Sequence, residues 1–105
     1  MKPNMLNLCL NPHGTRVIQR LIEFLKTERI IDKFIECVKP IIIDLVKDIN
    51  GNHIIQKFVL LVKKNDFIYE ILIANYVIVA TDKHGCCVLQ KCIEVSNPKF
   101  KVTFN

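Results

Sequence analysis

Apolar residues fall along this chain in short blocks whose spacing is that of helices. Counting about 100° per residue from Asn52, residues Ile54, Ile55, Phe58, Val59, Leu61 and Val62 lie within an arc from roughly 180° to 340°, which predicts a helix with one buried face. A shorter apolar segment precedes each such helix, at Met5–Leu10, Ile41–Ile49 and Tyr76–Thr81, and a further one lies at Glu28–Val38 and Asp66–Ala74. Each full unit therefore reads as three short helices. Tyr76–Ala80 is rich in strand formers and alone suggests a buried strand; its alignment with Ile41–Val46 predicts a helix instead. Pro12 and Pro40 suit first helical turns, and Asn65 before Asp66 predicts an N-cap.

The blocks repeat in residue type as well as in period. His13-Gly14-Thr15-Arg16-Val17-Ile18-Gln19-Arg20 is followed by Asn50-Gly51-Asn52-His53-Ile54-Ile55-Gln56-Lys57 and by His84-Gly85-Cys86-Cys87-Val88-Leu89-Gln90-Lys91. The shared frame recurs every 34 to 37 residues, inside the range of helical solenoids. All 3 glycines of the chain occupy one position of this frame, which predicts close packing where one helix starts after another ends. The boundaries predict a partial unit at 1–26 without its leading helix, full units at 27–62 and 63–96, and a polar tail at 97–105. An array that starts mid-unit predicts one segment of a longer array.

With 105 residues the chain holds one domain. Half of the residues are hydrophobic and 24% are charged, enough for a packed core and too apolar for a disordered tail. The longest run free of Asp, Glu, Lys, Arg and His, Ile71–Thr81, is 11 residues, about half of the ~20 that cross a bilayer; no membrane partner is predicted. Five cysteines without paired spacing, and no signal sequence at the start, predict a reducing, intracellular and specifically cytoplasmic home. Lys and Arg exceed Asp and Glu by 15 to 10, which favours polyanionic partners.

On the predicted helix Asn52 lies at 0°, Gln56 at about 40° and His53 at about 100°, one polar stripe opposite the apolar arc. Solvated faces usually carry Lys and Glu, whereas amides, thiols and planar groups recur here, with a cation after each glutamine (Arg20, Lys57, Lys91). Short directional groups beside cations suit base edges beside a phosphate backbone. From the residues alone two readings stay open: a nucleic-acid face, or a solvated or protein-binding one.

At these residues the sequence resembles the PUF (Pumilio) family of RNA-binding repeat proteins, over nearly the whole chain from Pro3 to Pro98. The resemblance implies an all-α fold, a right-handed, armadillo-like α-solenoid of three-helix repeats whose concave face holds single-stranded RNA, one base per repeat. It implies that Thr15 and Gln19, Asn52 and Gln56, and Cys86 and Gln90 address base edges, and that Arg16, His53 and Cys87 take the stacking position. Arg20, Lys57 and Lys91 would track phosphates. Asn52, His53 and Gln56 resemble the family's uracil triplet. Thr15 stands where adenine triplets usually carry cysteine or serine; Cys86 with Gln90 is adenine-like, but Cys87 supplies no planar stacking surface. Because family RNA runs antiparallel to the protein, the resemblance implies a 5′-A-U-A-3′ core in mRNA, regulation through 3′ untranslated regions, recruited repressor or deadenylation proteins, and neighbouring PUF repeats. A helical protein-binding scaffold and a base-neutral ribosomal-RNA-associated relative are the alternatives.

The remaining motifs point to bland roles. His13 and His84 precede the glycine and suit a turn or helix start. His84, Cys86 and Cys87 lack the separated ligand pairs of a zinc site, so no cofactor or metal is predicted. Cys9, Cys37 and Cys92 suit buried apolar positions, and Lys63-Lys64 a solvated loop. No constellation of nucleophile, base and oxyanion donor converges, so catalysis is not predicted.

Overall fold

The computed structural model describes residues 2–95, and all its regular elements are helical. In chain order they are α1 (Lys2–Leu10), α2 (Pro12–Glu23), α3 (Glu28–Val38), a 3₁₀ turn at Lys39–Ile41, α4 (Ile42–Val46), α5 (Asn52–Leu61), α6 (Asp66–Ala74), α7 (Tyr76–Ala80) and α8 (Lys83–Val95). Tyr76–Ala80 is helical despite its strand formers: Val79 is wholly buried, as Leu45 is at the matching place in α4. The predicted polar tail and Ser96 lie outside the described residues. Among the described residues no helix is long and apolar enough to cross a membrane.

The architecture is a solenoid, in which α2, α5 and α8 lie side by side as one layer, α5 packed against both neighbours. The layer is sealed by Ile18 and Ile22 of α2, Ile54, Ile55, Phe58 and Val59 of α5, and Val88 and Leu89 of α8, all buried. Phe58 stacks on Phe34 of α3 with ring centres 5.6 Å apart and meets Phe67 of α6 edge-on at 5.7 Å. One aromatic chain thus ties three helices across a unit boundary. Leu61, at the edge of the predicted arc, is exposed, because its 180° position faces out of the seam.

Each helix of the layer starts in the same way. Asn11 Oδ1 accepts from the backbone N–H of His13 and Gly14, Asp48 Oδ2 from Asn50 and Gly51, and Asp82 Oδ2 from His84 and Gly85, at 2.8–3.1 Å. These side chains satisfy N–H groups that the first helical turn leaves without partners. The glycine that follows is required by close approach. A Cβ on Gly14 or Gly85 would overlap the carbonyl oxygen of Leu8 or Val79, and one on Gly51 would sit 3.0 Å from that of Leu45.

Asn65 occupies the N-cap position of α6 as the sequence suggested, but its side chain does not bond the first turn. Its amide turns back and donates to the carbonyls of Val59 and Val62 at 3.2 and 2.8 Å, closing the end of α5. Lys64 is likewise more than a solvated loop residue: its Nζ lies 2.5 Å from Asp32 and 3.7 Å from Glu28 on α3.

Candidate nucleic-acid interface

The polar stripe exists, with one departure from the projected geometry. His53 and Arg16 are exposed and Gln19 and Gln56 half-buried, but Thr15 and Asn52 are buried at the inner edge of the stripe. Asn52 points back along its own helix start, its Nδ2 donating to the carbonyls of Asp48 at 2.7 Å and Ile49 at 3.0 Å. Thr15 Oγ1 donates to the carbonyl of Asn50 at 3.0 Å, and Asn50 Nδ2 donates to the carbonyl of Leu10 at 2.9 Å. The first stripe residue of α2 is therefore also a tie between units.

The buried residue in turn holds the glutamine one turn later. Gln56 Nε2 donates to Asn52 Oδ1 at 2.8 Å, and Gln19 Nε2 donates to Thr15 Oγ1 at 3.3 Å. An amide nitrogen has two protons, so each glutamine keeps one donor and its acceptor oxygen beyond this bond. What reaches solvent in α2 and α5 is a positioned amide beside an exposed planar group, Arg16 or His53. In α8, Gln90 and Cys87 are exposed and Cys86 half-buried; both thiols donate to the carbonyl of Lys83, at 3.3 and 3.6 Å. No planar group stands at the second position there.

The cations next to the stripe are engaged. Lys57 Nζ lies 2.6 Å from Glu23 of α2, a bridge between adjacent helices, and its hydrogen bond holds the Glu23 carboxyl below its ordinary range. Arg20 lies 3.9 Å from the same Glu23, and Lys91 3.6 Å from Glu94. Arg20 is the most solvent-exposed of the three and Lys57 the most confined.

The buried thiols are distinct from the stripe. Burial pushes Cys9 up to about 11 and Cys92 up to about 12, values at which a thiol stays protonated and unreactive near neutrality. Cys37 is only half-buried, since α3 leaves its groove against α2 partly open. Among the described residues no three His, Cys, Asp or Glu side chains converge as metal ligands.

Sequence reasoning overlooked the residues that set these helix starts. Asn11, Asp48 and Asp82 each stand three residues before the repeated glycine. That spacing, an Asx side chain followed by a helix, was available as a capping signal.

A family model described as the Pumilio-family RNA binding repeat matches residues 4–36, 42–61 and 75–103. The chain is 41% identical over 103 residues to Pumilio homolog 12 and 43% identical over 94 residues to Pumilio homolog 9, both of Arabidopsis thaliana. These alignments cover 95% and 88% of this chain and 17% of each relative, so the chain spans under a fifth of the proteins it matches. Among solved structures it is similar to a Puf4 RNA-binding domain bound to an HO endonuclease RNA 3′ UTR recognition sequence, with a TM-score of 0.90 and 36% identity. That match covers 96% of this chain and 32% of the domain. The RNA-binding domain of yeast Puf5p bound to MFA2 RNA matches with a TM-score of 0.82 and 32% identity, over 96% of this chain and 30% of that one.

Proposed function

The chain belongs to the Pumilio family of RNA-binding repeat proteins, and from that premise we propose that its α2, α5 and α8 stripes bind single-stranded mRNA sequence-specifically, one base per unit. The units are those at 1–26, 27–62 and 63–96. The observation that carries this reading is the glutamine of α2 and of α5, half-buried, held by one hydrogen bond and set beside an exposed guanidinium or imidazole. The planar group stacks on a base face while the amide offers its remaining donor and acceptor to the edge.

The same glutamine suits uracil, which presents an N–H between two carbonyls, and adenine, which presents an amino group beside a ring acceptor. The residue that holds the amide then distinguishes them: Asn52 accompanies uracil, and Thr15 and Cys86 accompany adenine. With RNA antiparallel to the protein the core is 5′-A-U-A-3′. The third base is held most weakly, because Cys87 has no ring or guanidinium to stack. Arg20 contributes most to phosphate attraction and Lys57 least, since Lys57 must be shared with Glu23. The role is binding without catalysis: cytoplasmic regulation through 3′ untranslated regions, exerted by recruited repressor or deadenylation proteins.

Fluorescence anisotropy with a short RNA carrying 5′-A-U-A-3′, against one of equal length with the three bases changed, tests this. The expected result is tighter binding to the first RNA, with modest affinity, because each stacked base contributes about 1–3 kcal/mol before ordering costs. Equal affinities that fall together with salt would favour base-neutral binding, and no RNA binding a protein-binding scaffold.

A further inference from the structure

The two junctions between neighbouring units differ at one residue. Asn50 opens the repeated frame of the second unit, where His13 and His84 open the first and third. Its Nδ2 donates back to the carbonyl of Leu10 at 2.9 Å. Its own carbonyl accepts the Thr15 hydroxyl at 3.0 Å and the backbone N–H of His53 at 3.3 Å. A residue of the second unit thus lies between the base-edge pair of the first and the stacking residue of the second. The other junction is built differently. Asn52, in the place of Thr15, turns its amide to Asp48 and Ile49 at its own helix start, and among the described residues the His84 ring makes no hydrogen bond to α4 or α5.

The tie fixes a direction of hydrogen bonding in the first unit. A hydroxyl has one proton, and that of Thr15 is committed to the Asn50 carbonyl, so toward Gln19 it can only accept. Gln19 accordingly turns Nε2, not Oε1, to Thr15, at 3.3 Å. An amide held this way presents its oxygen and its remaining N–H in one order. Adenine offers an amino group beside a ring acceptor and guanine a carbonyl beside a ring N–H, so turning the amide over exchanges the base it matches.

Building on the RNA reading above, we propose that Asn50 is a positioning residue for the base site of the first unit: through Thr15 it holds Gln19 in the orientation that selects adenine over guanine. Selection at one base is then set in part by the unit that reads the next.

Competition binding of the full chain to an RNA carrying 5′-A-U-A-3′, against the same RNA carrying 5′-A-U-G-3′, reads this selection, since the first unit takes the 3′ base. Asn50→Ala removes the tie to Leu10 while Asp48 still caps α5, and should lower the preference for 3′ adenine several-fold. Competition against 5′-G-U-A-3′ reads the third unit, where Cys86 is held by Lys83 of its own helix; that preference should not change. Thr15→Val, which keeps the shape without the hydroxyl, should lower the 3′ preference to the same extent, and Asn50→Ala added to it should lower it no further. Thr15→Ser keeps the hydroxyl and should keep the preference. A 3′ preference that survives Asn50→Ala, or losses from Asn50→Ala and Thr15→Val that simply add, would overturn the proposal and leave the RNA reading standing. Equal losses at the 3′ and 5′ bases would also overturn it, because a general loss of folding acts on both. An unaltered chain with no preference for 3′ adenine would overturn the base reading and this proposal together.

Discussion

Helices α2 and α5 carry the same eight-residue frame, begin on the same kind of side-chain cap, and hold the same glutamine by the same route, yet their flanks differ. Phe58 is enclosed by Phe34 and Phe67, whereas Leu21 at its place in α2 opens onto solvent above an apolar groove of about 280 Å³ that Ile18, Leu25 and Phe34 also line. The difference separates two kinds of information in the repeat. The helix start and the held amide are set by the residues around each glycine; burial of Phe58 is set by α3 of its own unit and α6 of the next, which place a ring on it from either side.

The sharpest way to break that comparison is to truncate the matched side chains. Phe58→Ala should cost about 3–5 kcal/mol, as for other buried aromatics. Leu21→Ala should cost less than about 1 kcal/mol, because Leu21 is 43% exposed. Urea unfolding of the two variants reads the difference, and equal losses would mean that the flank of α2 is covered in solution.

A smaller effect is expected at the glycines. Alanine at Gly14 or Gly85 drives a Cβ into a backbone oxygen that cannot move without its helix, an overpacking loss of about 1–3 kcal/mol. At Gly51 the nearest atoms, all of Leu45, stand at 3.0–3.1 Å. There the backbone of Gly51 is in the right-handed helical region and Leu45 need give only a few tenths of an ångström, so Gly51→Ala should cost less than either of the other two. Thermal unfolding that ranks Gly51→Ala with the other two would contradict this account of the helix starts.

The smallest effect is one of pH. The N–H groups of Gly85 and then His84 hold the Asp82 carboxyl below its ordinary value, and Lys57 does the same for Glu23. A carboxyl lowered in the folded state stabilises above its unfolded pKa of about 4, and that contribution is lost as pH falls through the lowered folded value. The melting temperature should therefore hold steady from neutrality to about pH 5 and decline below it. Asn11, the cap of α2, is an amide and does not titrate. Asp82→Asn should give α8 a cap of that kind and flatten the acid decline, and an unchanged acid profile would show that the cap charge does not matter.

Much of this was legible in the sequence because the chain states it three times. The repeat predicted α7 as a helix against its own strand-forming residues, and glycine at one frame position predicted close approach. What stayed hidden depends on side-chain direction or on distant partners. Angular projection puts Asn52 on the stripe but does not show its amide turning to the Asp48 and Ile49 carbonyls, which buries it. The partner of Lys57 is Glu23, in another unit, and nothing local announces it. Asn65 has the composition of an N-cap, but the preceding helix offered its amide two free carbonyls.

The central claim, that these stripes face bases, is tested most directly at α5. Family guanine triplets carry Ser and Glu where this chain has Asn52 and Gln56. Gln56→Glu alone would set a carboxylate against Asn52 Oδ1, acceptor against acceptor, whereas the hydroxyl of Asn52→Ser can donate to it. In the double variant the carboxylate accepts from both N–H groups on the Watson–Crick edge of guanine and opposes the carbonyls of uracil. His53 is kept so that stacking is constant. Competition binding between 5′-A-U-A-3′ and 5′-A-G-A-3′ in an otherwise fixed RNA should show the starting chain preferring U and the double variant preferring G. The expected discrimination is about 1–3 kcal/mol, comparable to a good base contact. A folded double variant that still prefers U would contradict the account, because Asn52 and Gln56 would then not face the base.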